Sequence, residues 1–311
     1  MGIKLIMIKK QLNRVYGNYL LKLFYRRIKV MRKLTVFIIT SVFLITTCGK
    51  GTKEDQTAPK IKITGNVMEI FYPEGPIQGK GGFKTIEKDG KKINKKDGEW
   101  TLYVKESNGK VVSAKGVFSE DKRNGKWIFY YPNGAVKSES TYVDGKQNGI
   151  SKSYNKNGKV TAEIPYKDDK VNGTRILYTD EGVKQKEEQV KDNKRNGKST
   201  TYFKNGKIQI SAVYSNDKLD GNWTEYYEDG KKKMEGRQIP VTEEKIKEDA
   251  KWAEKEGLKT GPWTLYHRNG KKLMTGVYED NKMTGKWLAY APEGYLESEG
   301  NYENNTKNGP W

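Results

Sequence analysis

Between Gly125 and Gly221 the chain repeats itself at a fixed period, and few other sequence features constrain a fold so tightly. Glycines stand at Gly125, Gly149, Gly173, Gly197 and Gly221, each 24 residues after the last. A second set, Gly134, Gly158, Gly182, Gly206 and Gly230, follows nine residues behind, and Tyr130, Tyr154, Tyr178, Tyr202 and Tyr226 follow five behind. Positions below are counted from the leading glycine of each unit as zero. Lys126–Tyr131 is aromatic and β-branched, which suits a half-buried strand. Asn133-Gly134 then offers the positive φ of a tight hairpin turn, and Ala135–Val143 makes the return strand before a second turn at Asp144. Each unit is therefore read as a β-hairpin, with no segment long enough for the crossover helices of a parallel sheet.

Strand alternation sorts the columns. Positions two, four and six, among them Trp127, Phe129, Tyr131, Trp223, Tyr227, Trp263 and Leu265, are expected on one face. The position-five tyrosines are expected on the other. Small residues at position fifteen (Ser140, Ala212, Gly236, Gly276, Gly300) and aromatics at seventeen (Tyr142, Tyr166, Tyr214, Tyr278, Tyr302) are placed with the tyrosines. A tyrosine of one unit is then expected to cover a neighbour's small residue, a contact that pins register. Irregularities stand at both ends. Eight excess residues precede Gly98, and the unit from Gly98 has three extra. Sixteen are inserted between Gly221 and Gly261, where Thr242, early acids and Ile246/Ala250/Ala253 predict a short helix.

The pattern Gly-x-Trp-x-x-Tyr-x-x-Asn-Gly-Lys followed by Gly-x-Tyr-x-Asp-x-Lys-x-x-Gly is similar to the MORN repeats. It is closest to their bacterial variant, found in many antitoxin-like proteins of toxin–antitoxin modules. The resemblance spans about residues 65–311. It implies an all-β, elongated, single-layer antiparallel hairpin array, a MORN-like meander of 24-residue period, with one short helical insertion at 237–260. It also implies a platform for protein or lipid head-group contacts and supplies no catalytic residue.

Residues 1–47 hold ten Lys/Arg and no Asp/Glu, so the formal charge of +20 overstates the rest, which carries 49 basic and 39 acidic residues. Those charges are interleaved with no basic stripe, which argues against nucleic acid as a partner. Met31-Arg32-Lys33 precedes an apolar run from Leu34 to Thr47, the form of a secretion signal (31–47) too short for a membrane span. Ile45-Thr46-Thr47-Cys48 resembles a bacterial lipobox, with Ile45 where Leu is usual and Thr47 where a smaller residue is usual. Cys48, the only cysteine, is the expected lipidation site. Residues 1–30 read as an extension upstream of the true start, and 48–64 as a flexible tether to the 65–311 repeat domain.

No catalytic constellation emerges. His267, the sole histidine, fills a position that other units give to Tyr131, Asn155, Thr179, Phe203, Tyr227 and Ala291. Asp144, Asp168, Asp192 and Asp280 lack the dense carboxylate spacing of calcium loops. No enzyme activity, cofactor or metal is expected. The expected function is a membrane-anchored scaffold of the bacterial envelope, on the outer membrane or the outer leaflet of the inner one. A protein or glycan partner would meet Trp127, Tyr131, Trp223, Tyr227, Trp252, Trp263 and Trp287, or the insertion. The alternatives are an antitoxin or immunity protein, cytoplasmic if Cys48 is unprocessed, and a binder of anionic lipid head-groups through Lys110, Lys159, Lys207, Lys231 and Lys271.

Overall fold

The computed structural model describes residues 58–248 and 256–311. All the strands among them belong to one antiparallel sheet in which each hairpin pairs with its neighbour in sequence. The unit at Gly125 shows the plan. Strand Lys122–Tyr130 pairs with Val136–Val143, putting Trp127 opposite Ser140 and Gly125 opposite Tyr142.

The two sides of the sheet carry different turns. After Tyr130 the loop has three residues: Tyr131 N–H donates to Ala135 O at 2.8 Å and Gly134 N–H to Tyr131 O at 2.9 Å. Only Gly134, at φ 85°, is left-handed there, which is a type I turn with a glycine bulge. The positive φ expected at Asn133-Gly134 is thus found at the glycine alone. Asn133 keeps negative φ while its Oδ1 accepts the Ala135 N–H at 3.1 Å. The primed two-residue turns lie on the opposite side. Asp144 and Gly145 take φ 49° and 84°, Asp192 and Asn193 49° and 69°, Asp280 and Asn281 49° and 67°.

That turn geometry also corrects the assignment of faces. Residues opposite one another on paired strands share a face, and position two lies opposite position fifteen: Trp223 and Gly236, Trp263 and Gly276, Trp287 and Gly300. Counting alternation straight through the hairpin fails because the register shifts at the bulge between Phe129 and Tyr130. Tryptophans, small residues and position-seventeen aromatics therefore share an indole face. The position-five tyrosines lie on the other, where Tyr178 and Tyr202 donate to Glu163 and Glu187 at 3.4 and 3.1 Å.

The core is a row of alternating large and small residues running across the strands of the indole face. It begins Met68, Gly81, Trp100, Gly116, Trp127, and it ends Trp223, Gly236, Trp263, Gly276, Trp287, Gly300, Trp311. Apart from Trp223, which meets Ala212, each indole of the row lies on a glycine of the preceding unit. A Cβ added at Gly116, Gly236 or Gly276 would sit 2.1–2.3 Å from the ring. At two of the indoles the N–H takes a carbonyl beside that glycine, Trp100 that of Gly82 at 2.7 Å and Trp127 that of Val117 at 2.9 Å. Trp263 instead donates to Thr260 O of its own strand at 3.2 Å, and the buried Trp287 N–H has no partner among the described residues. The ladder is irregular at these glycines, between Gly81 and Phe83 and between Lys115 and Val117, which leaves the carbonyl free for the ring. Position-seventeen rings stand edge-on between successive indoles: Tyr278 is 5.7 Å from Trp263 and 5.2 Å from Trp287. Trp127, Trp263 and Trp287 are 0–1% exposed, each burial contributing ~1.5–3 kcal/mol. In this way a sheet one layer thick makes its own core.

The irregular stretches also find their places. Lys60–Thr64 is a strand paired with Val67–Phe71. The tether boundary at residue 64 is therefore corrected, because the Lys-Ile alternation there is itself a strand period. The excess before Gly98 lengthens one hairpin, Ile77–Lys88 against Lys91–Tyr103. The three extra residues of the next unit form a 3-10 turn at Lys105–Ser107. The insertion is narrower than 237–260, since strands run to Ile239 and resume at Leu258. Its helix spans Glu243–Glu248, with Thr242 Oγ1 accepting the Lys245 N–H at 3.4 Å. Ala250, Trp252 and Ala253 lie outside the described residues.

Substituting Gly276 by alanine should destabilise the array by about 1–3 kcal/mol, because Trp287 cannot yield without losing its seat. Urea unfolding measures this, and an unchanged midpoint would contradict the packing described.

Candidate functional site

The repeated columns are occupied with joining unit to unit. Position six reaches the next unit's backbone. The hydroxyls of Tyr131 and Tyr227 donate to Tyr154 O and Tyr266 O, both at 2.8 Å, and His267 Nε2 lies 2.8 Å from Tyr290 O. Asn155, in the same position, donates to Asp180 O at 2.8 Å. A tolerant column in the sequence is thus a staple that several polar side chains can make.

Four of the five lysines considered for lipid head-groups do similar work. The ammonium groups of Lys159, Lys207, Lys231 and Lys271 donate to the next unit's turn carbonyls at Glu181, Asp229, Arg268 and Glu293, over 2.5–3.1 Å. Each neutralises the exposed carbonyl edge of a neighbouring turn.

The primed turns add a column that sequence reasoning missed. The second turn residue clamps the backbone 22 residues earlier through two bonds. Asp169 N–H donates to Gln147 O at 3.0 Å, and Gln147 N–H donates to Asp169 Oδ1 at 2.7 Å. Asn193 with Val171, Asp217 with Arg195, Asn281 with Lys259 and Asn305 with Met283 repeat it. The recurring Asp or Asn in that place was the available signal. Among the described residues no three His, Cys, Asp or Glu side chains converge as metal ligands would.

The expected partner-binding residues are not one surface. Trp127, Trp263 and Trp287 are buried, so their place on a binding face is corrected: each ring is spent on the glycine beneath it. Tyr131 and Tyr227 are half-buried and engaged as above. Trp223 is half-buried because Ala212 rather than glycine stands opposite it. It tilts at 42° onto Trp263, 5.8 Å away. Trp252 and Cys48 lie outside the described residues.

Between Trp127 and Trp223 the large–small row turns polar. Ser140 and Ser151 share a 2.8 Å hydrogen bond. Arg175 occupies the tryptophan position and Glu188, 2% exposed, the small one opposite it. Arg175 Nε donates to Glu188 Oε2 at 3.0 Å, and Lys186 Nζ lies 2.7 Å from Oε1. Burial pushes the Glu188 carboxyl up, but the bonds from Lys186 and Arg175 outweigh it and hold the group below its ordinary 4.5. On the tyrosine face burial, then the bond to Glu235, pushes Tyr266 up to about 12.

The tyrosine face is concave near its amino-terminal end. A depression of ≈ 600 Å³ crosses the strands there, lined among others by Lys80, Thr101, Lys115, Val67, Val117 and Ile128.

These features define a class, a single-layer β-hairpin repeat array whose repeated residues are mostly structural. Four stretches, 123–144, 147–168, 195–216 and 219–237, match the family model described as MORN repeat variant. No curated protein matches the chain. Among solved structures it is similar to a chain of TcdB2-TccC3-Cdc42, at 10% identity and TM-score 0.16, over 76% of this chain and 17% of that one. The Photorhabdus luminescens Tc holotoxin pore gives 12% identity and TM-score 0.19, over 72% and 14%. The chain thus spans less than a fifth of those chains, and TM-scores so low define no shared overall fold.

Because the Glu188 carboxyl is depressed, its contribution to stability is complete above pH 4.5 and is lost as pH falls through the folded-state value. Glu188→Gln should lower stability at neutral pH by about 1–3 kcal/mol and flatten the acid limb of the stability profile. Parallel acid limbs in the two proteins, measured by urea unfolding, would remove Glu188 from this role.

Proposed function

We propose that the protein is a lipid-anchored, non-catalytic scaffold of a bacterial cell envelope that holds a protein partner against its repeat sheet. The observation that carries this reading is the division of labour among side chains. The periodic residues largely join the units, as position six and the turn lysines do, and this leaves exposed positions of the tyrosine face such as Lys80, Lys115 and Val117 available to a partner. MORN-variant repeats support a binding scaffold in the same sense. The anchor rests on the basic and apolar leader that ends at Cys48. The engagement of four turn lysines with neighbouring carbonyls weighs against the lipid head-group alternative. The indole face, with its rings seated on glycines, offers a sugar little aromatic surface to stack on, so a protein partner is preferred to a glycan.

Cells expressing the full chain should incorporate labelled fatty acid and retain the protein in the membrane fraction. Cys48→Ala should abolish both. An unlabelled, wholly soluble wild-type protein would overturn the anchor, and failure to retain any protein from native membranes would overturn the scaffold.

A further inference from the structure

In five of the seven units from Gly125 onward, position fourteen carries a glutamate answered by a lysine on the tyrosine face, while Ser211 and Thr275 stand there in the other two. Glu139 pairs with Lys126 at 3.0 Å, Glu163 with Lys152 at 2.9 Å, and Glu299 with Lys286 at 2.9 Å. Glu187 and Glu235 have lysine partners as well. In the unit headed by Gly98 the corresponding place, opposite Thr101, is taken by Lys115. Thr101 also pairs on its other side with Lys80. Lys80, Thr101 and Lys115 thus stand in consecutive strands of one row, the lysines two strand spacings, about 9–10 Å, apart. Both lysines are exposed, and among the described residues neither has a carboxylate partner.

These residues line the ≈ 600 Å³ depression. Beside them Val67 and Val117 are 43% and 37% exposed, and Ile128 is half-buried. Glu69, directly opposite Lys80, and Glu99, opposite Val117, also line it, as does Lys126, so acid and base are interleaved and the stretch from Lys80 through Thr101 to Lys115 is its basic part. Its span from the strand of Val67 to that of Ile128 covers four strand spacings, about 19 Å, which an extended chain crosses in about six residues.

We propose that this depression receives an extended, acidic and partly apolar segment of a protein partner. Its central carboxylates would lie between Lys80 and Lys115, accepting from them and from the Thr101 hydroxyl, with apolar side chains that flank them on Val67, Val117 and Ile128. A lone anion would engage the two ammonium groups and leave those apolar walls in water. A basic segment would meet the charge that replaces the usual acid. The assignment rests on the scaffold reading and adds the partner's chemistry and the place where it docks.

The test uses the full-length protein and a fluorescein-labelled peptide, Glu-Val-Glu-Leu-Glu-Val, in polarisation titrations at low salt, with a counterpart in which lysine replaces every glutamate. The acidic peptide should bind and the lysine peptide should not. Lys115→Glu and Lys80→Ala should each weaken binding about tenfold, ~1.4 kcal/mol. Lys286→Ala, on a distant unit, should leave it unchanged. Lys115→Glu installs the residue that other units carry there, so its melting temperature should match wild type and separate lost binding from lost folding. Equal binding of the two peptides, binding of neither, or full affinity in both lysine variants would overturn the proposal. So would displacement of the acidic peptide by inorganic phosphate or phosphatidylglycerol vesicles. A partner retained from native membranes by both wild type and Lys115→Glu removes this site while leaving the scaffold standing. A wild type that retains no partner removes the scaffold itself.

Discussion

An indole lying flat on a glycine of the neighbouring strand is the contact on which the architecture depends. A single-layer sheet has no opposing layer to bury its side chains, so large residues must be buried within the face that bears them. Only a glycine lets the ring descend to the backbone, where a Cβ would come within 2.1–2.3 Å at Gly116, Gly236 and Gly276. At Trp100 and Trp127 the same descent brings the indole N–H to a carbonyl at the local irregularity, that of Gly82 and that of Val117. Edge-on rings such as Phe118 and Tyr278 fill the spaces between indoles. Cationic side chains then cover the row, Arg123 lying 4.7 Å above Trp127 and Lys259 4.9 Å above Trp263, which contributes some cation–π attraction as well as cover.

Around that row the other columns act as fasteners at three levels. The primed turns clamp one unit's backbone to the next, as Asp169 does with Gln147. Position six and the turn lysines do the same on the opposite side of the sheet. Tyrosine–glutamate bonds such as Tyr202 to Glu187 cross the tyrosine face. The centre is held differently, by the Arg175–Glu188 pair in place of an indole and a glycine. A buried ion pair gives weaker net stabilisation than a packed ring. It does impose a strict geometry, since Glu188 without its cationic partners would be left as a buried charge.

Much of this was legible in the sequence. The glycine and tyrosine columns define the period, the strands and the order of hairpins, and the Thr242-led helix starts where its capping pattern puts it. The placement of faces was not legible from alternation alone. One bulged residue per hairpin, between Phe129 and Tyr130 and at the equivalent places, reverses parity, and a bulge depends on turn geometry rather than residue type. For the same reason tryptophans that alternation puts on an open face are buried by glycines more than ten residues away. The Asp/Asn clamp left a visible trace, but its partner is a backbone amide, which has no sequence signature. Lys115 became conspicuous only once register showed that it stands where other units carry an acid.

The central claim concerns the indoles, and their N–H exchange with solvent reports on it most directly. In two-dimensional NMR of the folded protein, the indole N–H signals of Trp100, Trp127 and Trp263 should exchange with D2O far more slowly than that of Trp223. Rapid exchange of all four would mean that the rings are not seated on the sheet and would contradict the account.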